Sequence, residues 1–433
     1  MSKDKKGVEI KRDFYKGVID EIEHIKDFKK TIDNRQKSPT TQIVSVLMGG
    51  SIKLGSSDIH LEPQEKGVKI RIRVDGVLHK VTTLPKAIYN KILSRIKLLS
   101  SMKLNVTEQA QDGRFNILLN QKEIEIRASL LPSQHGESIV MRILDPENLI
   151  DVKDLGLRDD LFELFTKEIS RPNGMIIVTG PTGSGKTTTL YAFLKNINNP
   201  KIKIITIENP VEYQLGGVIQ TQVDEDRGYT FASGLESIVR QDPDVVLVGE
   251  IRNLETTNIA LQAALTGHLV FSTLHTNDAA GTIARLKSLG ASKENIAPAI
   301  NLAIAQRLLR KVCPKCAHLE EPTPEEKEEI KKGLKEAPTE IKKLYQNDFK
   351  ISRANPDGCK HCNFTGYKGR VGIFEALLVN DKMENLINQS ATINEIRKEM
   401  ESQGMLTLYQ DGLVKVLKQK TTFKELSRVT QKD

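Results

Sequence analysis

Between Ile10 and Ile32 the apolar residues Ile10, Phe14, Val18, Ile22, Ile25, Phe28 and Ile32 recur at steps of three and four. That spacing predicts a helix with a single apolar stripe, ending before Asp33-Asn34, with Ser38-Pro39 marking a linker, so residues 1–40 read as an amphipathic N-terminal segment. The stripe can pack on the chain's own core or dock on a partner, and the pattern leaves both open. From 41 to 150 the text changes. One helix, TQIVSVLMGGSIKL, leads into DIHLEP, VKIRIRV and VLHKV, short alternating strands divided by turns such as Asp75-Gly76. A helical stretch near 86–102 then precedes RFNILLN, EIEIRASLL and ESIVMRIL, three more strands, which together predict a small α+β domain.

From 151 onward nearly continuous apolar runs alternate with helical text: MIIVTG, IKIITIE, DVVLVGE and HLVFSTLH. Strands apolar on both faces predict a parallel sheet covered by helices on each side, an α/β domain reaching to residue 433. Each run passes straight into polar, chemically capable residues, and open α/β sheets bind their ligands at the carboxyl edge of the strands.

Composition changes this picture little. The 64 Lys and Arg exceed the 56 Asp and Glu by enough for a net charge of +8, a mild basic excess of the kind that solvated helix faces carry. No run of about 18 apolar residues occurs, and the charged start MSKDKKGVEIKRDF is followed by no apolar stretch, so neither a transmembrane segment nor a leader is expected. The Lys/Glu-rich stretch from 325 to 350 reads as a solvated helical insertion.

The strongest chemical signal is Gly180, Pro181, Thr182, Gly183, Ser184, Gly185, Lys186 and Thr187, with Thr188 following. It matches the phosphate-binding loop G-x-x-x-x-G-K-[ST], and it lies between a predicted strand and a predicted helix as that loop requires. The glycines let successive N–H groups turn inward toward phosphate oxygens, and the helix start adds its positive dipole end. Lys186 is suited to the β/γ phosphates of ATP, and the Thr187 hydroxyl to Mg²⁺.

The next two strands end in Glu208 and Glu250. Either can orient or deprotonate the attacking water, and the sequence leaves the choice open. Gly249 stands where an aspartate is common, which makes Glu250 the first acid of its strand. His268 and His275 bracket the fourth strand, and His275 lies beside hydroxyl and amide groups at the catalytic edge, where a γ-phosphate sensor would sit. The four cysteines form two Cys-x-x-Cys pairs, Cys313 with Cys316 and Cys359 with Cys362, separated by residues 317–358. In a reducing compartment that arrangement points to structural Zn²⁺ before disulfides, with free or redox thiols as the other reading.

GPTGSGKT, TIENPVEY, RQDPDVVLVGEIR, TGHLVFSTLHTN and GYKGRVGIFEAL, in this order, resemble the secretion ATPases, in particular those of type IV pilus assembly and type II secretion. The resemblance spans residues 40–433, with SDIHLEP, RIRVDG, QDGRF and LPSQHGESIVMRIL matching the small domain that precedes the motor in that family. It implies a RecA-like P-loop motor preceded by a small α+β domain of PAS-like kind, with a tetracysteine zinc module at 311–375. It also implies a homohexamer with ATP held between the small domain and the motor. The ring would be cytoplasmic, work on an inner-membrane platform protein and power pilin or pseudopilin assembly. By motif, Glu208 matches the acidic box, Glu250 the catalytic glutamate, and His268 and His275 the histidine box. Arg114 and Arg127 match arginines of the small domain that reach the nucleotide, with Arg240 and Arg252 less closely matched. The tetracysteine element resembles that of assembly rather than retraction ATPases.

Three function classes are compatible with a phosphate loop: this motor, a ring ATPase that translocates nucleic acid, and a non-hydrolysing assembly component. Aromatic residues at 5%, no Trp and no basic groove interleaved with aromatics weigh against direct nucleic-acid binding. Lys186, Thr187, Glu208 and Glu250, all present, weigh against a dead scaffold.

Overall fold

The computed structural model describes residues 7–10, 14–119, 122–145 and 149–430. They fall into two compact units, one drawn from Met1–Asn148 with Cys313–Cys316 and Asn355–Lys368, the other from Leu149–Val312, Ala317–Ala354 and Gly369–Asp433.

In the first unit the alternating segments form a seven-stranded sheet. Its strands are β1 (Gly7–Ile10), β2 (Ser56–Gln64), β3 (Gly67–Val74), β4 (Val77–Leu84), β5 (Gln111–Leu119), β6 (Lys122–Ser133) and β7 (Gly136–Leu144), in the order β1-β5-β6-β7-β2-β3-β4. The two-residue period puts Ile59, Leu61, Ile70, Ile72, Ile117, Ile126 and Ile139 on one buried face. Helices α1 (Ile25–Asn34), α2 (Thr40–Lys53) and α3 (Lys86–Leu99) contribute Phe28, Leu47 and Ile96 to the same core. The opposite face is polar. Directly opposed residues share a face, and the register lines up Arg114, Arg127, Arg142, Asp58 and Arg73 across β5, β6, β7, β2 and β3.

The N-terminal stripe does not form the single helix its spacing predicts. Strand β1, a π-turn at Tyr15–Ile19 and helix α1 share it. The local cause is a capping box: the His24 ring accepts the Asp27 N–H while the Asp27 carboxylate accepts the His24 N–H, so the last helix starts at Ile25. The stripe is nonetheless buried, with Ile10, Ile22, Phe28 and Ile32 in the core of the unit. Gly50 on α2 makes room for it, since a Cβ there would lie 2.5 Å from the Phe28 ring.

The second unit is built on another seven-stranded sheet, ordered β10-β9-β11-β12-β8-β13-β16. Its strands are β8 (Gly174–Thr179), β9 (Ile204–Glu208), β10 (Ile219–Gln222), β11 (Val245–Val248), β12 (Leu269–Leu274), β13 (Ile300–Val312) and β16 (Tyr367–Leu378). All pairs from β10 through to β13 are parallel. A small antiparallel pair, β14 (His318–Glu320) with β15 (Ile351–Arg353), stands apart from it. Helices α4 (Asp159–Glu168), α5 (Lys186–Ile197), α6 (Phe231–Val239), α7 (Leu254–Leu265), α8 (Gly281–Ser288) and α9 (Lys293–Ala299) connect the strands. Then follow α10 (Pro324–Gly333), α11 (Thr339–Lys342), α12 (Asp381–Asn388), α13 (Ile393–Ser402), α14 (Leu408–Leu417) and α15 (Phe423–Val429).

As continuous apolar strands require, both faces are covered. Ile177, Ile207, Val248 and Val270 face a core shared with Leu235, Ala260 and Leu413, whereas Ile176, Val178, Leu247 and Phe271 face Leu190, Phe193 and Phe165. The Lys/Glu-rich insertion is helical as expected but is not wholly solvated: Ile330 of α10 and Leu334 at its carboxyl cap are buried in the first of these cores. The insertion thus belongs to the second unit, while the cysteine segments that flank it group with the first.

Candidate nucleotide site and cysteine cluster

The loop from Gly180 to Thr187 joins β8 to α5. Gly183 and Gly185 hold φ of +80° and +90°, backbone that side chains other than glycine strain to adopt. At Gly180 a Cβ would lie 2.6 Å from the Gln306 carbonyl, so β13 backs directly onto the loop. Pro181, Thr182 and Gly183 are exposed, Thr187 and Thr188 occupy the first turn of α5, and Ser184 is buried with its Oγ unpartnered among the described residues. The Lys186 ammonium donates to the carbonyls of Gly180 (2.8 Å) and Pro181 (3.2 Å). Burial lowers its pKa and Arg307 adds to that effect, while Glu250 opposes both.

Glu208 and Glu250, interchangeable in the sequence, have different surroundings. Glu208 ends β9 only 3% exposed. One carboxylate oxygen accepts from the Tyr191 hydroxyl (2.5 Å), the other from Thr206 (2.6 Å) and Gln220 (3.3 Å). Burial nevertheless raises its pKa, these donors opposing. Glu250 follows β11 and is open enough to meet solvent. It pairs with Arg252 at 2.5 Å and lies 4.0 Å from Nε2 of His275. Its backbone is braced from β12, where Thr273 donates its hydroxyl to the Gly249 carbonyl at 2.7 Å. Gly249 itself is tightly placed: a Cβ would come within 3.3 Å of the Glu208 Cα, so an aspartate there would crowd β9.

His275 follows β12, half-exposed, its pKa lowered by burial and by Lys186, with Glu250 opposing. The next residue ties it to the phosphate loop's strand, for the Thr276 N–H donates to the Thr179 hydroxyl at 2.8 Å. His268 lies at the other end. It precedes the first residue of β12, which aligns with Gly174 at the start of β8, and its Nδ1 is 3.0 Å from the Ala263 carbonyl. At about 3.3 Å per strand residue, His268 and His275 stand roughly 20 Å apart, at opposite sheet edges. The structure therefore gathers Lys186, Thr187, Glu250 and His275 at one edge, with Glu208 buried beside them, and leaves His268 out.

Arg114 and Arg127 lie in the first unit, side by side in the row on its polar face. Arg114 is exposed, and Arg127 pairs with Glu125 at 3.0 Å. Arg142, unremarked in the sequence, continues the row and pairs with Asp58 at 3.3 Å. The alternation of EIEIRASLL and ESIVMRIL carried that signal. Arg240 caps the carboxyl end of α6, with Ser237 beside it at 3.3 Å. Arg307 and Gln306, also unremarked, back the phosphate loop because β13 runs beside β8.

The four cysteine sulfurs all lie within 4.8 Å of one another. Cys313 and Cys359 are separated by 3.8 Å, and so are Cys316 and Cys362. Disulfides would need about 2.05 Å, whereas thiolates at about 2.3 Å from one tetrahedral Zn²⁺ stand roughly 3.8 Å apart. Burial pushes the Cys362 thiol up, but N–H groups of Cys359 and Gly366, 3.1 and 3.3 Å from its sulfur, outweigh it and bring it down to about 7. His361 is exposed and outside the cluster. The donor set and spacing fit a structural zinc.

The chain is similar along most of its length to known proteins. A family model described as Type II/IV secretion system protein matches residues 33–428. Type II secretion system protein E of Xanthomonas campestris pv. campestris is 42% identical over 415 residues, covering 95% of this chain and 70% of that protein. Type IV pilus assembly ATPase PilB of Myxococcus xanthus is 40% identical over 422 residues, 96% of this chain and 73% of that protein. Among solved structures, the pilus retraction motor PilT with bound ADP aligns over 89% of this chain and 96% of that one, with a TM-score of 0.59 and 28% identity.

Proposed function

The chain belongs to the Type II/IV secretion system protein family and is an ATPase of that family, and we propose that it works as a ring of six copies that drives assembly of a pilin or pseudopilin filament. The observation that carries this reading is the meeting of Lys186, at the helix start after β8, with Glu250 and His275, just past the ends of β11 and β12, at one sheet edge. The names and identities of the two relatives support the filament-building role, and no finding favours a nucleic-acid translocase. Among the described residues no helix is long and apolar enough to cross a membrane. We infer a cytoplasmic site of action, against an inner-membrane platform protein.

The chemistry follows from the side chains. Backbone N–H groups of Gly183 to Thr187 receive the phosphates of ATP at the start of α5, and Lys186 turns from the loop carbonyls to the β/γ phosphates. The Thr187 hydroxyl and the Glu250 carboxylate are the groups that would hold Mg²⁺, which supplies charge neutralisation on the phosphates. Glu250 is the general base. One of its oxygens pairs with the exposed Arg252 and the other lies 4.0 Å from His275, whereas each oxygen of Glu208 already accepts a buried donor. Glu208 positions Tyr191 on α5. His275, half-exposed and next to Glu250, senses the γ-phosphate. Cys313, Cys316, Cys359 and Cys362 hold Zn²⁺ as a structural ion.

Steady-state ATP turnover tests the central assignment. Glu250→Gln, which removes the base and keeps the shape, is expected to lower kcat by about 10²–10⁴-fold, as loss of a general base does. A variant that hydrolyses ATP at the wild-type rate would refute it.

A further inference from the structure

The loop between β12 and α8 carries His275, and three polar links from elsewhere in the second unit hold its next residues. Glu375 on β16, only 6% exposed, accepts the Ala279 N–H on one oxygen at 2.8 Å and the Leu408 N–H, the first of α14, on the other at 3.1 Å. Arg307 on β13 donates to the Asn277 carbonyl at 2.9 Å, and its other terminal nitrogen lies 3.1 Å from where a Cβ on Gly180 would stand. Arg397 on α13 pairs with Asp278 at 2.6 Å. One carboxylate thus joins the histidine loop to the start of a C-terminal helix, and one guanidinium holds that same loop from β13, close beside the phosphate loop.

We propose that Glu375 and Arg307 are positioning residues for ATP hydrolysis: they pin the 275–279 loop so that His275 faces Glu250, and they tie that loop to α14. The inference rests on the nucleotide-site reading above but adds residues that reading does not use. A buried carboxylate whose two oxygens each accept a backbone N–H accepts most strongly when ionised; protonation places an O–H on one oxygen and weakens that link. The charged groups facing Glu375 are Arg307 from β13, Asp278 from the loop and Arg397 from α13, with Asp411 of α14 accepting the N–H of the adjacent Phe374. Burial raises the carboxyl to about 7, the two N–H groups opposing and Asp278 adding to the rise. Hydrolysis is therefore expected to strengthen as pH rises through that value.

The experiment is kcat and KM for ATP of the full chain from about pH 6 to 9, with melting temperatures, for wild type, Glu375→Gln and Glu375→Asp. Losing a hydrogen bond to a charged group should lower kcat at the alkaline end by about tenfold in Glu375→Gln, with KM changed less than about threefold. The acid limb near 7 should vanish in that variant. Glu375→Asp, which keeps the charge but cannot span both N–H groups, should lose rate and keep a limb. A Gln variant with the wild-type rate and limb would overturn the proposal, as would a rate that falls only in step with the melting temperature while the limb stays. If Gln does not fold, an Asp variant with the wild-type rate would overturn it. Glu250→Gln in the same assay separates the two readings: if it abolishes turnover while Glu375→Gln leaves rate and limb untouched, the nucleotide site stands and this inference falls.

Discussion

Tyr191, Thr206 and Gln220 decide what Glu208 does. A carboxylate with both oxygens engaged at 2.5 and 2.6 Å in a buried pocket cannot turn to a water without leaving the Tyr191 hydroxyl unpaired, so it acts through α5. Glu208→Gln should therefore lower kcat by less than about tenfold and cost about 1–3 kcal/mol of stability, the range for a buried hydrogen-bonded charge; chemical denaturation alongside turnover checks both. A loss as large as that of Glu250→Gln would return Glu208 to the chemistry. The sequence left these two acids equivalent because each ends an apolar strand, and the difference lies in partners from other elements. The phosphate loop was legible because its glycines and lysine are adjacent in the chain. His268, matched only through the histidine box, precedes a parallel strand and so lies at the amino edge, away from the phosphates.

At the scale of elements, β13 and β16 were invisible in advance, and with them Arg307, Gln306 and Glu375. The run INLAIAQRLL is rich in Ala and Leu, good helix formers, and becomes a strand because it pairs with β8 inside the sheet. The N-terminal stripe had the period of a helix but broke at a capping box. The period marked an apolar face but told neither what would cover it nor where the helix would break. The C-terminal helices are locked by Glu425 on α15, buried and held by Arg310 at 2.8 Å and Arg428 at 2.6 Å. Burial raises its pKa, but these arginines outweigh burial and the carboxyl lies below its ordinary value. A depressed folded-state value means that the stabilisation is full above the unfolded value, about 4.3 for Glu, and is lost as pH falls through the folded one. Glu425→Gln should thus cost about 3–5 kcal/mol at neutral pH, the range for breaking a buried pair. The difference from wild type should shrink in acid, as urea titrations at neutral and acid pH would record. A difference that grows in acid would contradict it.

Across the whole chain, two Cys-x-x-Cys pairs far apart in sequence converge on one cluster that groups with the first unit, while the helical text between them packs in the second. Cysteine spacing foretold the convergence. The partition between units depends on contacts that spacing does not encode. Metal analysis of the purified chain should find one zinc per chain, with sulfur ligands at about 2.3 Å by X-ray absorption; an intact mass showing two disulfides would contradict the structural-zinc reading. Ring formation is the remaining link from site to machine in the proposed motor. The decisive measurement is ATP turnover across size-resolved fractions of wild type and Glu250→Gln. Turnover confined to the six-chain fraction and abolished in the variant is the predicted result. Equal turnover by the single chain, or activity that survives Glu250→Gln in the six-chain fraction, would contradict it.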